Sequence, residues 1–242
     1  VTDSTGATPK AIQRADVMSA LRTASAKTGV GFDYLVKTAQ RESNFDPSAK
    51  AGTSSATGLF QFTDATWLNM LERYGDKHGV ATDGQSRADL LALRKDASLS
   101  SVMAGELAAE NGKILQKKLG RPATSSELYA AHFMGPSDAA RLVAAARSNR
   151  PGAASELFPS AALANRNVFH GKDGVSLTSA QLYARLTGAT VGDADAGNVP
   201  GAPFGEPLQA SNQDLLMQAR MGVVSMTSSL MTALFGLQED KT

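Results

Sequence analysis

The apolar residues of this chain recur mostly at helical spacing. Ile12, Ala15, Met18 and Leu21 fall three apart and the run stops at Thr28-Gly29, which predicts a first helix over residues 10–28. From Phe32 a second stripe passes through Leu35, Val36 and Ala39 to Glu42, seven residues after Leu35 and three after Ala39. Asn44, Asp46 and Pro47 then close that helix. Thr63-Asp64 can cap a third, whose Trp67, Met70, Leu71 and Tyr74 form one stripe before Gly75. This regular stripe makes Trp67 a core residue. Ser86 with Asp89 resembles a capping box leading into Leu90, Leu91 and Leu93, and Thr124 with Glu127 repeats the device before Leu128 and His132. Between them, residues 98–119 carry Leu99, Met103, Leu107 and Ile114 on one face. Strand-like patterning is confined to residues 168–177, where Lys172-Asp173-Gly174 would turn a short hairpin. The expected fold is mainly α with at most a small β-hairpin.

The pattern also divides the chain. Residues 1–9 read as a tail and residues 10–188 as one helical domain. Residues 189–207, with Pro200-Gly201-Ala202-Pro203, read as a linker. In residues 208–242, Leu215, Ala219, Val223, Met226, Leu230, Leu234 and Leu237 recur in steps of four and three, a heptad-like amphipathic stripe. Residues 221–238 carry no charge, but five Ser and Thr side chains make the segment too polar for a confident membrane span. It reads either as a helix that docks on the domain or as a Met-rich surface over residues 208–238 for a protein partner or self-association.

Composition narrows the function classes. A 242-residue chain with 42% hydrophobic content can bury one good core with room for an extension. Its 24 basic and 23 acidic residues leave a net charge of +1, without the basic stripe of a nucleic-acid binder. There is no cysteine, which excludes disulfides, thiolate metal sites and cysteine nucleophiles. His78, His132 and His170 are dispersed, so no metal site or other cofactor is expected. The chain opens Val1-Thr2-Asp3 without a charged region before an apolar core, so a signal peptide is either missing or already removed.

The candidate chemistry centres on carboxylates. Glu42 sits on the buried face of its helix, where loss of hydration favours the neutral, proton-donating form that a general acid needs. Capping the helix or pairing with Arg41 at the surface is the bland alternative. Glu110 lies seven after Met103 and three after Leu107, and Glu106 seven after Leu99, which puts both on or beside the apolar face of residues 98–119. Each needs a partner such as Arg94 or Arg141; otherwise one of them faces Glu42 across a cleft as a second carboxylate. A hydrolytic glycosidase ordinarily uses two such groups.

Glu42-Ser43 followed by Ala56-Thr57-Gly58-Leu59-Phe60-Gln61 resembles the Glu-Ser and Gly-Leu-Met-Gln motifs of soluble lytic transglycosylases, a lysozyme-like family that cleaves peptidoglycan. Residues 96–119 resemble its Asn-Ile-x-x-Gly helix around Gly105, and residues 128–136 its Ala-Tyr-Asn-Ala-Gly-Pro motif, so the likeness runs in order over residues 10–188. Where the family has Tyr-Asn this chain has His132-Phe133. It is similar to a subgroup that reads Ala-His-Phe there and continues through an Ala-Asn-Arg-x-Val-Phe segment like residues 164–169.

The resemblance implies a periplasmic or cell-envelope enzyme acting on glycan strands, with Glu42 as acid and then base. It also implies substrate contacts from Ser43, Phe60, Gln61, Tyr129, His132 and Phe133. Ser43 can equally well end its helix, and His132 can equally well be a hydrogen-bonded core residue. Two classes follow, a glycan-cleaving enzyme and a non-catalytic glycan-binding or assembly module.

Overall fold

The computed structural model describes residues 9–190, apart from residues 53 and 149–151. The expected tail, linker and C-terminal amphipathic helix lie outside the described residues, but for Pro9, Ala189 and Thr190. Helices α1 (Pro9–Thr28), α2 (Phe32–Ser43), α3 (Asp64–Tyr74), α4 (Arg87–Ala92) and α5 (Ala97–Leu119) form the first part of the structure. Next come α6 (Ser125–Met134), α7 (Pro136–Arg147), α8 (Ala154–Leu157), α9 (Pro159–Ala164), α10 (Arg166–Phe169) and α11 (Ser179–Thr187). The caps fall where the sequence puts them. Thr63, Ser86 and Thr124 accept from the backbone N–H groups of Thr66, Asp89 and Glu127, and Thr124 with Glu127 completes a full capping box.

Two differences from the sequence pattern have physical causes. On α1 the buried residues are Val17, Ala20, Leu21 and Ala24, while Ala15 is exposed. Threefold spacing drifts about 60° per step around a helix of 3.6 residues per turn, so it cannot hold one face for long. The expected hairpin at residues 168–177 contracts to a single antiparallel bridge between His170 and Ser176. Val168 and Phe169 are already in α10, and the Asp173 side chain accepts from the Val175 N–H to close the turn. No strand occurs among the described residues, and none of their helices is long and apolar enough to cross a membrane.

Helix α5 is the spine. It packs against α1, α2, α3, α6 and α7 and joins two apolar clusters. The first gathers Leu21, Leu35, Leu59, Phe60, Trp67, Met70, Leu71 and Met103; the second gathers Leu115, Phe133, Leu142, Phe169, Leu182 and Leu186. The α1–α5 contact depends on Gly105, because a Cβ there would lie 2.6 Å from Thr28 Oγ1. Trp67 is fully buried in the first cluster and donates through its indole N–H to the Leu90 carbonyl at 2.7 Å. That bond satisfies the one polar atom such a ring brings into a core.

Candidate active site

Glu42 lies one residue before the end of α2, with its side chain only 6% exposed. Beyond it the backbone turns through two consecutive left-handed residues, Asn44 (φ 52°) and Phe45 (φ 66°). Asn tolerates this conformation at a helix end, but for a bulky ring it is strained. Phe45 is held there by burial, by an N–H bond to the Ala39 carbonyl at 3.3 Å, and by the Arg14 guanidinium 4.6 Å above its ring. Strain of this kind persists where the surroundings over-determine it.

The second motif packs directly under the first. Ser43 Oγ donates to the Leu59 carbonyl at 2.8 Å and also lies 3.2 Å from the Ala39 carbonyl, so its hydroxyl ties the end of α2 to the turn at residues 58–61. Gln61 is a third left-handed residue (φ 48°), and its amide NH₂ donates to the carbonyls of Gly58 (2.8 Å) and Ala49 (3.2 Å). Both donors of Gln61 thus hold the loop together. Arg94 is buried behind this loop and donates to the carbonyls of Ser55 (2.7 Å) and Phe62 (3.0 Å) and to Asp64 Oδ1 (2.8 Å). The sequence offered Arg94 as a partner for the α5 carboxylates; it instead fastens the loop that faces Glu42.

Helix α6 supplies the groups that reach the Glu42 carboxylate. Tyr129 Oη donates to Glu42 Oε1 at 3.4 Å, and His132 Nε2 lies 3.4 Å from the same oxygen. The two rings, three residues apart, are tilted with centroids 5.8 Å apart. Burial, reinforced by the charge of Glu42, pushes the Tyr129 phenol well above its ordinary range, so it remains a donor. Tyr34, two turns before Glu42 on α2, is raised in the same way by burial and then by Glu42, against a lowering hydrogen bond with Thr38. The Arg41 guanidinium stacks 4.2 Å from the centre of the Tyr129 ring and donates to the Leu186 carbonyl of α11 at 2.9 Å. Phe60 lies beside the group, in the wall of a hollow that His132 also lines. Phe133 is not among the residues that line that hollow; it is buried in the second apolar cluster.

The α5 carboxylates are engaged elsewhere. Glu106 Oε1 is paired with Lys77 Nζ at 2.7 Å and His78 Nε2 at 2.8 Å, and Glu110 pairs with Arg73. Arg141, the other partner considered for them, binds Asp138 at 2.9 Å. The face of α5 that meets the hollow is Ala104, Leu107, Ala108 and Asn111. At about 100° per residue, Glu106 and Glu110 lie about 200° and 240° around the helix from Ala104. Neither points towards the side that carries His132.

Residues 19–89 match the transglycosylase SLT domain family. The matched segment contains Glu42, Ser43 and the Gly58–Gln61 turn, and it ends before α5 and α6 begin. The SLT match, with the mainly α, lysozyme-like architecture, supports a glycan-cleaving function of the lytic transglycosylase kind and a peptidoglycan substrate.

The helix that carries Tyr129 and His132 is held at its start by charge. Arg121 grips Glu127 with two guanidinium hydrogen bonds, at 2.9 and 2.6 Å, and the Thr124 N–H adds a third at 2.9 Å. Burial alone would raise the Glu127 carboxyl, but Arg121 and Thr124 outweigh it and the net shift is downward. Glu106 is lowered likewise, burial being overcome by Lys77 and His78. A carboxyl held lower in the folded chain adds stability above its unfolded value of about 4.3, and that stability drains away as pH falls through the folded value. Glu127→Gln should therefore cost about 1.5–3 kcal/mol at pH 7 and flatten the loss of stability in acid. Urea unfolding of both proteins between pH 7 and 3 checks this; parallel curves would contradict it.

Proposed function

We propose that the protein is a peptidoglycan lytic transglycosylase in which Glu42 acts alone, first as acid and then as base. The observation that carries this reading is the convergence of Tyr129 and His132 on one buried carboxylate, Glu42, while Glu106 and Glu110 are paired with cations on another face of α5. A single carboxyl suits a reaction that needs no activated water.

In this scheme Glu42 protonates the glycosidic oxygen between N-acetylmuramic acid and N-acetylglucosamine. The bond from C1 to that oxygen breaks, and the N-acetylglucosamine unit leaves with a free 4-hydroxyl. The Glu42 carboxylate then takes the proton of the muramyl C6 hydroxyl as its oxygen bonds to C1, closing a 1,6-anhydro ring and returning Glu42 to its acid form. Water is neither consumed nor released. Tyr129 and His132 supply hydrogen bonds to the carboxylate between the two proton transfers; such contacts are commonly long in a free enzyme and tighten around substrate. Ser43 and Gln61 serve by holding the Gly58–Gln61 turn against α2, with Phe60 as a wall of the site. The substrate sets the place of action in the periplasm or cell envelope, with residues 10–188 as the catalytic unit and residues 208–238 as a surface for a protein partner or self-association.

Mass spectrometry of fragments released from purified peptidoglycan tests the scheme. Fragments one water lighter than hydrolytic products are expected. Reducing-end muramic acid would mean a muramidase, and binding without release would mean a glycan-binding or assembly module.

A further inference from the structure

Three helices meet at a side chain to which the scheme above gives no role. Arg41 immediately precedes Glu42 on α2, yet its guanidinium reaches two other helices. Its centre lies 4.2 Å from the middle of the Tyr129 ring on α6, and Nη1 donates to the Leu186 carbonyl on α11 at 2.9 Å. Leu186 is the last residue but one of α11, where backbone carbonyls have no partner within the helix and carry the negative end of its dipole. A cation is well placed there. Helix α11 in turn packs on α6, so the anchor and the ring belong to neighbouring helices. At its polar end the ring presents Oη to Glu42 Oε1 at 3.4 Å. The contacts form one line, from the Leu186 carbonyl through the Arg41 guanidinium and the Tyr129 ring to its hydroxyl and the Glu42 carboxylate.

We propose that Arg41 is a positioning residue for the Glu42 carboxylate, acting through Tyr129: anchored on α11, its guanidinium holds the phenol ring in place and strengthens the hydroxyl as a donor to Glu42. Two effects carry this. A cation over an aromatic face is attracted by the electron density of the ring and draws on it, which in a phenol polarises the O–H bond. In keeping with that, burial and the Glu42 charge hold the Tyr129 phenol well above its ordinary range, and the Arg41 charge works against them. The planar guanidinium also fixes the plane of the ring by stacking, and the plane decides where Oη points. The role rests on the acid–base reading of Glu42 and deepens it. Between the two proton transfers Glu42 carries a full charge, and a hydrogen bond to a charged group is worth more than one to its neutral form. The gain therefore falls on the reacting state, not on the binding of the glycan.

The test is a double-mutant cycle on the full chain, with initial rates of fragment release from soluble, uncrosslinked glycan strands. Arg41→Met removes the charge and keeps a long side chain, while Tyr129→Phe removes the hydroxyl and keeps the ring. Each should lower kcat about tenfold with KM nearly unchanged, and the double variant should be no slower than Tyr129→Phe alone. A strut that merely holds the helices together would act whether or not the hydroxyl is present, so the two losses would multiply to about a hundredfold. That outcome, or a normal kcat in Arg41→Met, overturns the role of Arg41 and leaves the glycan reading intact. Circular dichroism and thermal midpoint show which variants are folded. Where Arg41→Met is not, Arg41→Lys takes its place in the cycle, since it lacks the flat, stacking fork, and the same pattern is expected. A wild type that releases no fragments overturns the glycan-cleaving reading and this role with it.

Discussion

Glu42→Gln is expected to reduce release of glycan fragments from peptidoglycan by about 10³-fold or more. General acid–base catalysis by one positioned group contributes about 10²–10⁴, and in the proposed scheme a single carboxyl carries both proton transfers. The substituted amide keeps the shape and can still accept from the Tyr129 hydroxyl and His132 Nε2, which now meet Glu42 Oε1, so the fold and glycan binding should survive. Fragment yields and peptidoglycan co-sedimentation, measured on the same preparations, separate the two effects. A Glu42→Gln variant that still releases anhydro products at about a tenth of the normal rate would remove Glu42 from the mechanism, since that loss is far below the range for a general acid–base group.

The second large effect is a methyl group added far from any proton transfer. Gly58 has φ of 86°, and a Cβ on it would stand 2.2 Å from the Arg94 carbonyl oxygen and 3.0 Å from the carbonyl carbon. Both atoms are backbone, so no side chain can swing away. A left-handed non-glycine residue costs about 1–3 kcal/mol, and forced overlap in a packed site adds about 1–3 more. Gly58→Ala should therefore destabilise the protein by about 2–6 kcal/mol. It should also shift the loop that Arg94, Gln61 and Ser43 hold together, so activity falls even where the protein stays folded. Gly112→Ala provides the control, since it lies within α5 and its added Cβ would meet only Leu128 Cδ2 at an ordinary 3.4 Å. Urea unfolding of the two variants should separate them widely; equal midpoints would contradict the close approach at Gly58.

Much of this arrangement is legible in the sequence because local rules act on it directly. The phase of Leu35, Val36 and Ala39 places Glu42 on the inner face of α2, and Thr124 with Glu127 announces the start of α6. The spacing of Tyr129 and His132 puts both rings on one side of that helix. What periodicity cannot express is pairing between distant segments. Glu106 and Glu110 look alike to a helical wheel whether they face a cleft or a cation, and only the fold brings Lys77, His78 and Arg73 alongside them. Arg94 and Arg41 are missed for the same reason, since each spends its guanidinium on carbonyls far away in sequence. Tyr34 and Thr38 were detectable, standing eight and four residues before Glu42 on its own helical face.

The Arg41 contact limits how this site can be moved between proteins. The family match ends at residue 89, yet Arg41 within it stacks on Tyr129 and donates to a carbonyl at residue 186, in the last turn of α11. A graft or fusion that carries only residues 19–89 would bring the acid along without either oxygen donor and without the carbonyl that receives its neighbouring guanidinium. The smallest portable unit therefore extends through Gly188, almost one hundred residues past the signature by which the family is recognised.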